Sequence, residues 1–245
     1  MYIVEGNIGA GKSTFLTLIE KHLPQFTVAL EPLNNWQKQV YGQSLLANFY
    51  EDTRRWAYTL ETLTMICRVR EHLAEQKNND PYRLMERSIY SGHYCFAKNG
   101  FQNGFLTPLE WEIYSAWFAT LIPGKCLPPR GFIYLQVTPE VSYERIKKRN
   151  RLAEKNISLK YLKQIYECHE NFLIHKTDVI DEIKNVPVLV LNCNQEFESD
   201  PEYLKELLHK VELFISTHSV PVSIIPEGYT QIELQQKEYT QQERP

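Results

Sequence analysis

The sequence predicts an α/β protein in which a five-stranded parallel sheet is wrapped by helices. Three observations predict it. Short apolar runs alternate along the chain with longer segments of helical periodicity, the pattern of successive strand–helix–strand units. Two runs, Gly131–Val137 and Val186–Leu191, are almost uninterrupted in apolar residues, as strands covered on both faces are. A glycine-rich turn, Gly6-Asn7-Ile8-Gly9-Ala10-Gly11-Lys12-Ser13, joins the first run to the first helical segment. That strand–turn–helix setting is the context in which such a turn cradles phosphate.

In order, strands are expected at 2–5, 26–31, 83–86, 131–137 and 186–191. Helices are expected at 12–23, 37–48, 53–76, 88–98, 107–122, 138–150, 158–180 and 200–216. Tyr2-Ile3-Val4-Glu5 is a short apolar strand, and Lys12 begins a helix carried by Phe15, Leu16, Leu18 and Ile19. Asn78-Asn79, Asp80-Pro81 and Pro128-Pro129 punctuate the elements as turns. Beyond Ser219 the apolar face stops, and Pro221–Pro245 is rich in Gln, Glu and Pro. One domain over 1–219 and a flexible, disordered tail over 220–245 are expected.

A chain of 245 residues fits one large domain with a sizeable core. Its 43% hydrophobic and 23% charged residues are ordinary for a globular protein. A net charge of −3 gives no electrostatic case for direct nucleic-acid binding. Five widely spaced cysteines without a C-x-x-C pair argue for reduced thiols, and so for a cytoplasmic setting. With the first strand at residue 2, no signal or transit peptide is expected, and no apolar run suits a membrane span.

The chemistry of the turn follows from its residue types. Glycines let successive backbone N–H groups approach phosphate oxygens with no Cβ in the way. The helix starting at Lys12 and running through Thr14 directs the positive end of its dipole at the same place. Lys12 adds a cation, and Ser13 a hydroxyl for Mg²⁺. Gly6 to Thr14 are therefore expected to hold a nucleoside triphosphate with Mg²⁺.

Other charged residues fall at strand ends, where open parallel sheets place ligands. The second strand ends in Glu31-Pro32-Leu33-Asn34-Asn35-Trp36, the third in Glu86-Arg87-Ser88. Glu31 is placed to face the γ-phosphate, and Glu86, beside the turn, to assist Mg²⁺. Arg87 can clamp phosphoryl oxygens. The densest basic run, Glu144-Arg145-Ile146-Lys147-Lys148-Arg149-Asn150-Arg151, follows the fourth strand. It reads either as a solvated helix end or as a basic lid closing over a transferring phosphoryl group.

These motifs resemble the deoxynucleoside kinase family, a group with a P-loop kinase fold. The similarity runs in register from residue 2 to about residue 216. It implies transfer of the ATP γ-phosphoryl to the 5′-hydroxyl of a deoxynucleoside, in nucleoside salvage. The resemblance makes Glu31 the general base and Arg87 the group that holds it in line, with Lys12 on the phosphates. Ser13 and Glu86 would organise Mg²⁺, and Arg145, Arg149 and Arg151 would be lid arginines. Trp36 resembles the aromatic wall of the base pocket, while Tyr50 and Glu170 match the pair that bonds the sugar 3′-hydroxyl. Tyr50 would also crowd a 2′-hydroxyl. The family is generally dimeric, so a homodimer through segments 53–76 and 107–122 is expected.

Two positions depart from the family pattern. A base-reading glutamine, seven residues before an arginine, is replaced here by Glu61, with Arg68 kept, and a frequent aspartate is Gly92. An ionised carboxylate only accepts hydrogen bonds, which suits the adjacent N1–H and N2–H₂ donors of guanine. Alternatively, Gly92 opens space and makes the site broad, or Glu61 pairs with Arg68 and neither reads the base.

A deoxynucleoside monophosphate kinase of thymidylate-kinase type is the nearest rival. Such enzymes place an arginine before the strand-end Glu-Pro, where this chain has Leu30. A non-catalytic nucleotide-binding relative is disfavoured because Lys12, Ser13, Glu31, Glu86 and Arg87 are all present.

Overall fold

The computed structural model describes residues 1–31, 44–78, 80–151 and 154–218. The expected Trp36 wall, most of the expected helix over 37–48 and the expected tail over 220–245 lie outside the described residues.

Five parallel strands form one sheet: β1 (Tyr2–Glu5), β2 (Thr27–Ala29), β3 (Arg83–Glu86), β4 (Phe132–Gln136) and β5 (Val188–Asn192), in the order β2-β3-β1-β4-β5. All four residues of the central β1 are buried. Alternate side chains face opposite layers, as the strand period of two requires. Ile3, Met85, Phe132 and Tyr134 join one core cluster; Tyr2, Val4, Leu84, Ile133 and Leu135 join the other. Each such fully buried side chain contributes about 1.5–3 kcal/mol. The cover of the second layer is α1 (Lys12–His22) and α9 (Pro201–His218), through Phe15, Leu16, Ile19, Leu207, Val211 and Ile215.

The other helices are α2 (Leu45–Glu51), α3 (Thr53–Glu75), α5 (Pro108–Leu121), α6 (Pro139–Arg149) and α8 (Asp181–Lys184). Two further segments each combine α- and π-type turns: α4 over 89–102, with Gly92–Ala97 π-type, and α7 over 159–174, with Glu170–Ile174 π-type. The caps are local. Ser44, Asp52 and Ser158 accept from the backbone N–H three residues on, and Thr107 forms a capping box with Glu110.

Three expectations are adjusted. The strand expected at 26–31 is paired only over Thr27–Ala29, so Glu31 lies just past its end. The helix expected at 158–180 stops at Ile174, because Lys176 and Asp178 adopt φ of 53° and turn the chain. β5 is an edge strand, and Val190 is 40% exposed rather than covered on both faces.

Candidate active site

The parallel register assembles the site. Ala29 pairs with Met85 and Val4 with Glu86, so Glu31, Arg87 and the loop after β1 emerge together at the carboxyl end of the sheet. A cavity of about 210 Å³ opens there. The loop and the start of α1 contribute Ile8, Gly9, Gly11, Lys12, Ser13 and Thr14; the basic segment contributes Arg149 and Arg151. Leu46, Phe49, Leu60 and Phe96 supply an apolar lining, with Tyr50, Glu61, Thr64 and Arg68 among them.

The loop is shaped for close approach of a ligand. Gly9 and Gly11 have φ of 80° and 92°, and a Cβ on Gly9 would meet the Ser142 carbonyl oxygen at 2.6 Å. Gly6, Asn7 and Ala10 form the buried back of the loop. Asn7 ties it down, donating from Nδ2 to the Leu162 carbonyl at 2.9 Å and accepting from Ile8 N–H at 2.8 Å. Lys12 folds back, donating from Nζ to the carbonyls of Gly6 (3.0 Å) and Asn7 (2.9 Å). Burial, reinforced by the nearby charge of Arg87, lowers its pKa to about 7. An anion here would restore the ammonium form.

Glu86 couples the loop to the acceptor side. It accepts from the Ser13 hydroxyl at 2.8 Å and from Glu31 N–H at 3.2 Å. A hydroxyl and a carboxylate oxygen side by side at a phosphate cradle are hard ligands of the type Mg²⁺ takes alongside phosphate oxygens. The donor set fits the ion.

Glu31 sits between two guanidiniums. Arg68 Nη2 donates to Oε1 at 2.6 Å, and Arg87 Nε lies 3.4 Å from Oε2. Burial raises the carboxyl pKa, but Arg68 and Arg87 outweigh it and hold the group below the usual range. Glu31 is thus an anion with lone pairs left for a hydroxyl. Arg87 has a left-handed backbone, φ 64°, which is uncommon for a side chain of this size. Its guanidinium lies 4.7 Å above the Phe96 ring, and its buried Nη1 has no hydrogen-bond partner among the described residues.

Glu61 is 6% exposed on α3, and burial lifts its pKa to about 7 against the opposing pull of Arg68 and Arg87. Gly92 does not leave open space, as the sequence reading allowed. A Cβ there would lie 2.8 Å from Arg68 Nη1, so the volume beside it belongs to that guanidinium.

The basic segment divides. Arg149 and Arg151 line the cavity and pair with Glu154 at 2.6 and 3.6 Å. Arg145 instead lines a second cavity of about 320 Å³ with Lys148, Glu196 and Phe197. It donates to the Ala10 carbonyl at 3.4 Å and the Gln195 carbonyl at 3.1 Å. Gly9, Gly11, Thr14 and Arg149 border both cavities, so the loop lies between them.

Glu170 is not among the cavity-lining residues. Its Oε1 accepts from Tyr134 Oη and Gln136 Nε2, each at 2.8 Å, which ties α7 to β4. Of the carboxylates that line the cavity with Tyr50, Glu154, 7% exposed, is the one whose charge adds most to burial in raising the Tyr50 pKa. Sequence reasoning missed it because Arg151-x-x-Glu154 reads as a solvated i,i+3 pair. It also missed Phe96, Thr64 and Glu5. The buried Glu5 accepts from the backbone N–H and hydroxyl of Ser88, fixing the turn that carries Arg87. No signal beyond an acid at the end of the first strand pointed to that role.

Among the described residues, no helix is long and apolar enough to cross a membrane. A family profile described as deoxynucleoside kinase matches residues 2–216. The chain is 35% identical over 237 residues to deoxycytidine kinase 2 of Gallus gallus, covering 87% of this chain and 89% of that one. It is 36% identical over 234 residues to a mitochondrial deoxyguanosine kinase of Xenopus laevis, with 87% and 88% covered. It is 34% identical to the deoxycytidine kinase of Homo sapiens, with 87% and 90% covered.

Proposed function

Because the chain belongs to the deoxynucleoside kinase family, we propose that it carries out the ATP-dependent phosphorylation of deoxynucleosides through the residues assembled at the carboxyl end of its sheet. The observation that carries this reading is Glu31, an ionised carboxylate between Arg68 and Arg87 in the cavity bordered by the phosphate loop.

The cavity holds the deoxynucleoside with its 5′-hydroxyl at Glu31. Glu31 accepts the hydroxyl proton as the 5′-oxygen bonds to the γ-phosphorus and the bond to the β-phosphate oxygen breaks. Arg87 orients Glu31 and, as a residue of the cavity lining, can meet the 5′-oxygen or the phosphoryl group. Loop N–H groups and Lys12 bind the β- and γ-phosphates, with Arg149 and Arg151 meeting the equatorial oxygens. Ser13 and Glu86 would hold Mg²⁺, which supplies charge neutralisation when bound. Arg145 and Phe197, in the cavity across the loop, are suited to the donor's nucleoside. Tyr50 and Glu154 can hold the sugar 3′-hydroxyl; Tyr50 also leaves little room at the 2′ position.

A homodimer is supported by an apolar groove between α3 and α5, lined by Ile66, Val69, Leu73, Trp117 and Leu121. Ile66 and Trp117 are 53% and 49% exposed, unusual for such large apolar groups.

The experiment is Glu31→Gln. Turnover should fall about 10²–10⁴-fold, while ATP binding by calorimetry stays within a factor of about three. Unchanged turnover would remove Glu31 from the role of base.

A further inference from the structure

Resting on the reading of the cavity as a deoxynucleoside site, we propose that Glu61 reads the base in two protonation states: as a neutral acid it accepts all four bases, and as a carboxylate it accepts guanine alone.

The geometry places Glu61 for this. It lines the cavity from α3 among the apolar surfaces of Phe49, Leu60 and Phe96, which suit the flat face of a base. The phosphate loop and Glu31 hold the other chemistry, so the base belongs at this apolar end. Thr64, one turn on, spends its hydroxyl hydrogen on the Glu61 backbone carbonyl at 3.1 Å, leaving the Glu61 side chain to face the ligand. Arg68 is drawn to Glu31 at 2.6 Å, and no ion pair joins it to Glu61 among the described residues.

Two cations act on Glu61. Arg68 shares its helix, and Arg87 projects from the turn after β3. Tyr50 of α2, Tyr114 of α5 and Tyr161 of α7 are all un-ionised phenols, each further raised by the Glu61 charge. Two cations oppose the cost of burial without cancelling it, and the group titrates near neutrality, at about 7.

Donor and acceptor counting then fixes what each state can bind. The neutral acid offers one O–H donor and one carbonyl acceptor. Cytosine and adenine match it with an amino donor beside a ring-nitrogen acceptor. Thymine and guanine match it with a ring N–H beside a carbonyl. The carboxylate offers two acceptors, and only guanine presents two adjacent donors, N1–H and N2–H₂. Every other base then meets an oxygen lone pair with an acceptor, a buried mismatch that costs binding.

The test is the ratio of kcat/KM for deoxyguanosine over deoxycytidine between pH 6 and 8.5. Effects of pH on Glu31, Lys12 or the phosphates are common to both substrates and cancel. The interval also lies between the titrations of cytosine N3 and guanine N1. With a midpoint near 7 the ratio should rise about 30-fold across this interval, approaching tenfold per pH unit at its upper end. Glu61→Gln, whose amide keeps one donor and one acceptor at every pH, should flatten it. If that variant does not fold, calorimetry of the unaltered protein at pH 8 in buffers of different ionisation enthalpy replaces it. Deoxycytidine should then take up close to one proton and deoxyguanosine none. Turnover of both nucleosides with a pH-independent ratio would overturn this inference and leave the kinase reading intact. Neither binding nor phosphorylation of any nucleoside would overturn both.

Discussion

Gly92→Ala isolates the part played by Arg68. The backbone at Gly92 has φ −53° and ψ −50°, a helical conformation in which alanine is favoured over glycine by about 1 kcal/mol. The fold therefore has no backbone reason to reject the change. The new methyl would lie 2.8 Å from Arg68 Nη1, about 0.6 Å inside ordinary contact. Arg68 must move, and its 2.6 Å bond to Glu31 must lengthen or turn away. Charge-assisted bonds of this kind contribute about 1.5–3 kcal/mol. Losing about half of that predicts a fall in kcat/KM of about 3–15-fold. At pH 6, where Glu61 is mostly protonated, the loss should be equal for every nucleoside, because it acts through Glu31. Withdrawing a positive charge from Glu31 also raises its pKa, so the acidic limb of the kcat/KM profile should move to higher pH. The sign follows from the base being active when ionised: activity is present above its pKa and lost as pH falls through it. Steady-state kinetics from pH 4.5 to 8, with Tm as a control, would read both effects. Unchanged kinetics, or a loss confined to one base, would refute the link between Gly92, Arg68 and Glu31.

Three further outcomes are expected. Glu154→Gln should raise KM for deoxynucleosides several-fold through loss of a charged acceptor worth about 1–2 kcal/mol; Glu170→Gln should leave KM unchanged and lower Tm. The reverse pattern in steady-state kinetics would restore Glu170 as the sugar ligand. Trp117→Glu should convert the proposed dimer to a monomer in sedimentation velocity, because it introduces a charge into the apolar groove between α3 and α5; a dimer that persists would place the interface elsewhere, and a monomeric unaltered protein would remove the dimer.

The placement of the loop and the strand-end acids was legible because it depends on local sequence and strand register. Gly6 to Ser13 form a contiguous motif between a strand and a helix. Parallel register carries Glu31, Glu86 and Arg87 to the same edge wherever their strands pair. What stayed hidden depends on tertiary placement. Glu154 looks like one half of a solvated pair until the fold places it in the cavity lining. Phe96 lies in the π-type part of α4, where the wider turn shifts the faces that a 3.6-residue period would assign. Glu170 is an unremarkable acid in sequence; only the packing of α7 on β4 commits it to Tyr134 and Gln136. For Gly92 the absence of a side chain suggested a void. The neighbour that fills it, Arg68, lies on another helix.

The most direct test of the account is phosphorylation of the four deoxynucleosides and one ribonucleoside by the purified protein with Mg-ATP, with products identified by chromatography. The account predicts deoxynucleoside 5′-monophosphates, little product from the ribonucleoside, and formation of one ADP per monophosphate. No phosphorylation of any nucleoside, with turnover of deoxynucleoside monophosphates instead, would contradict it.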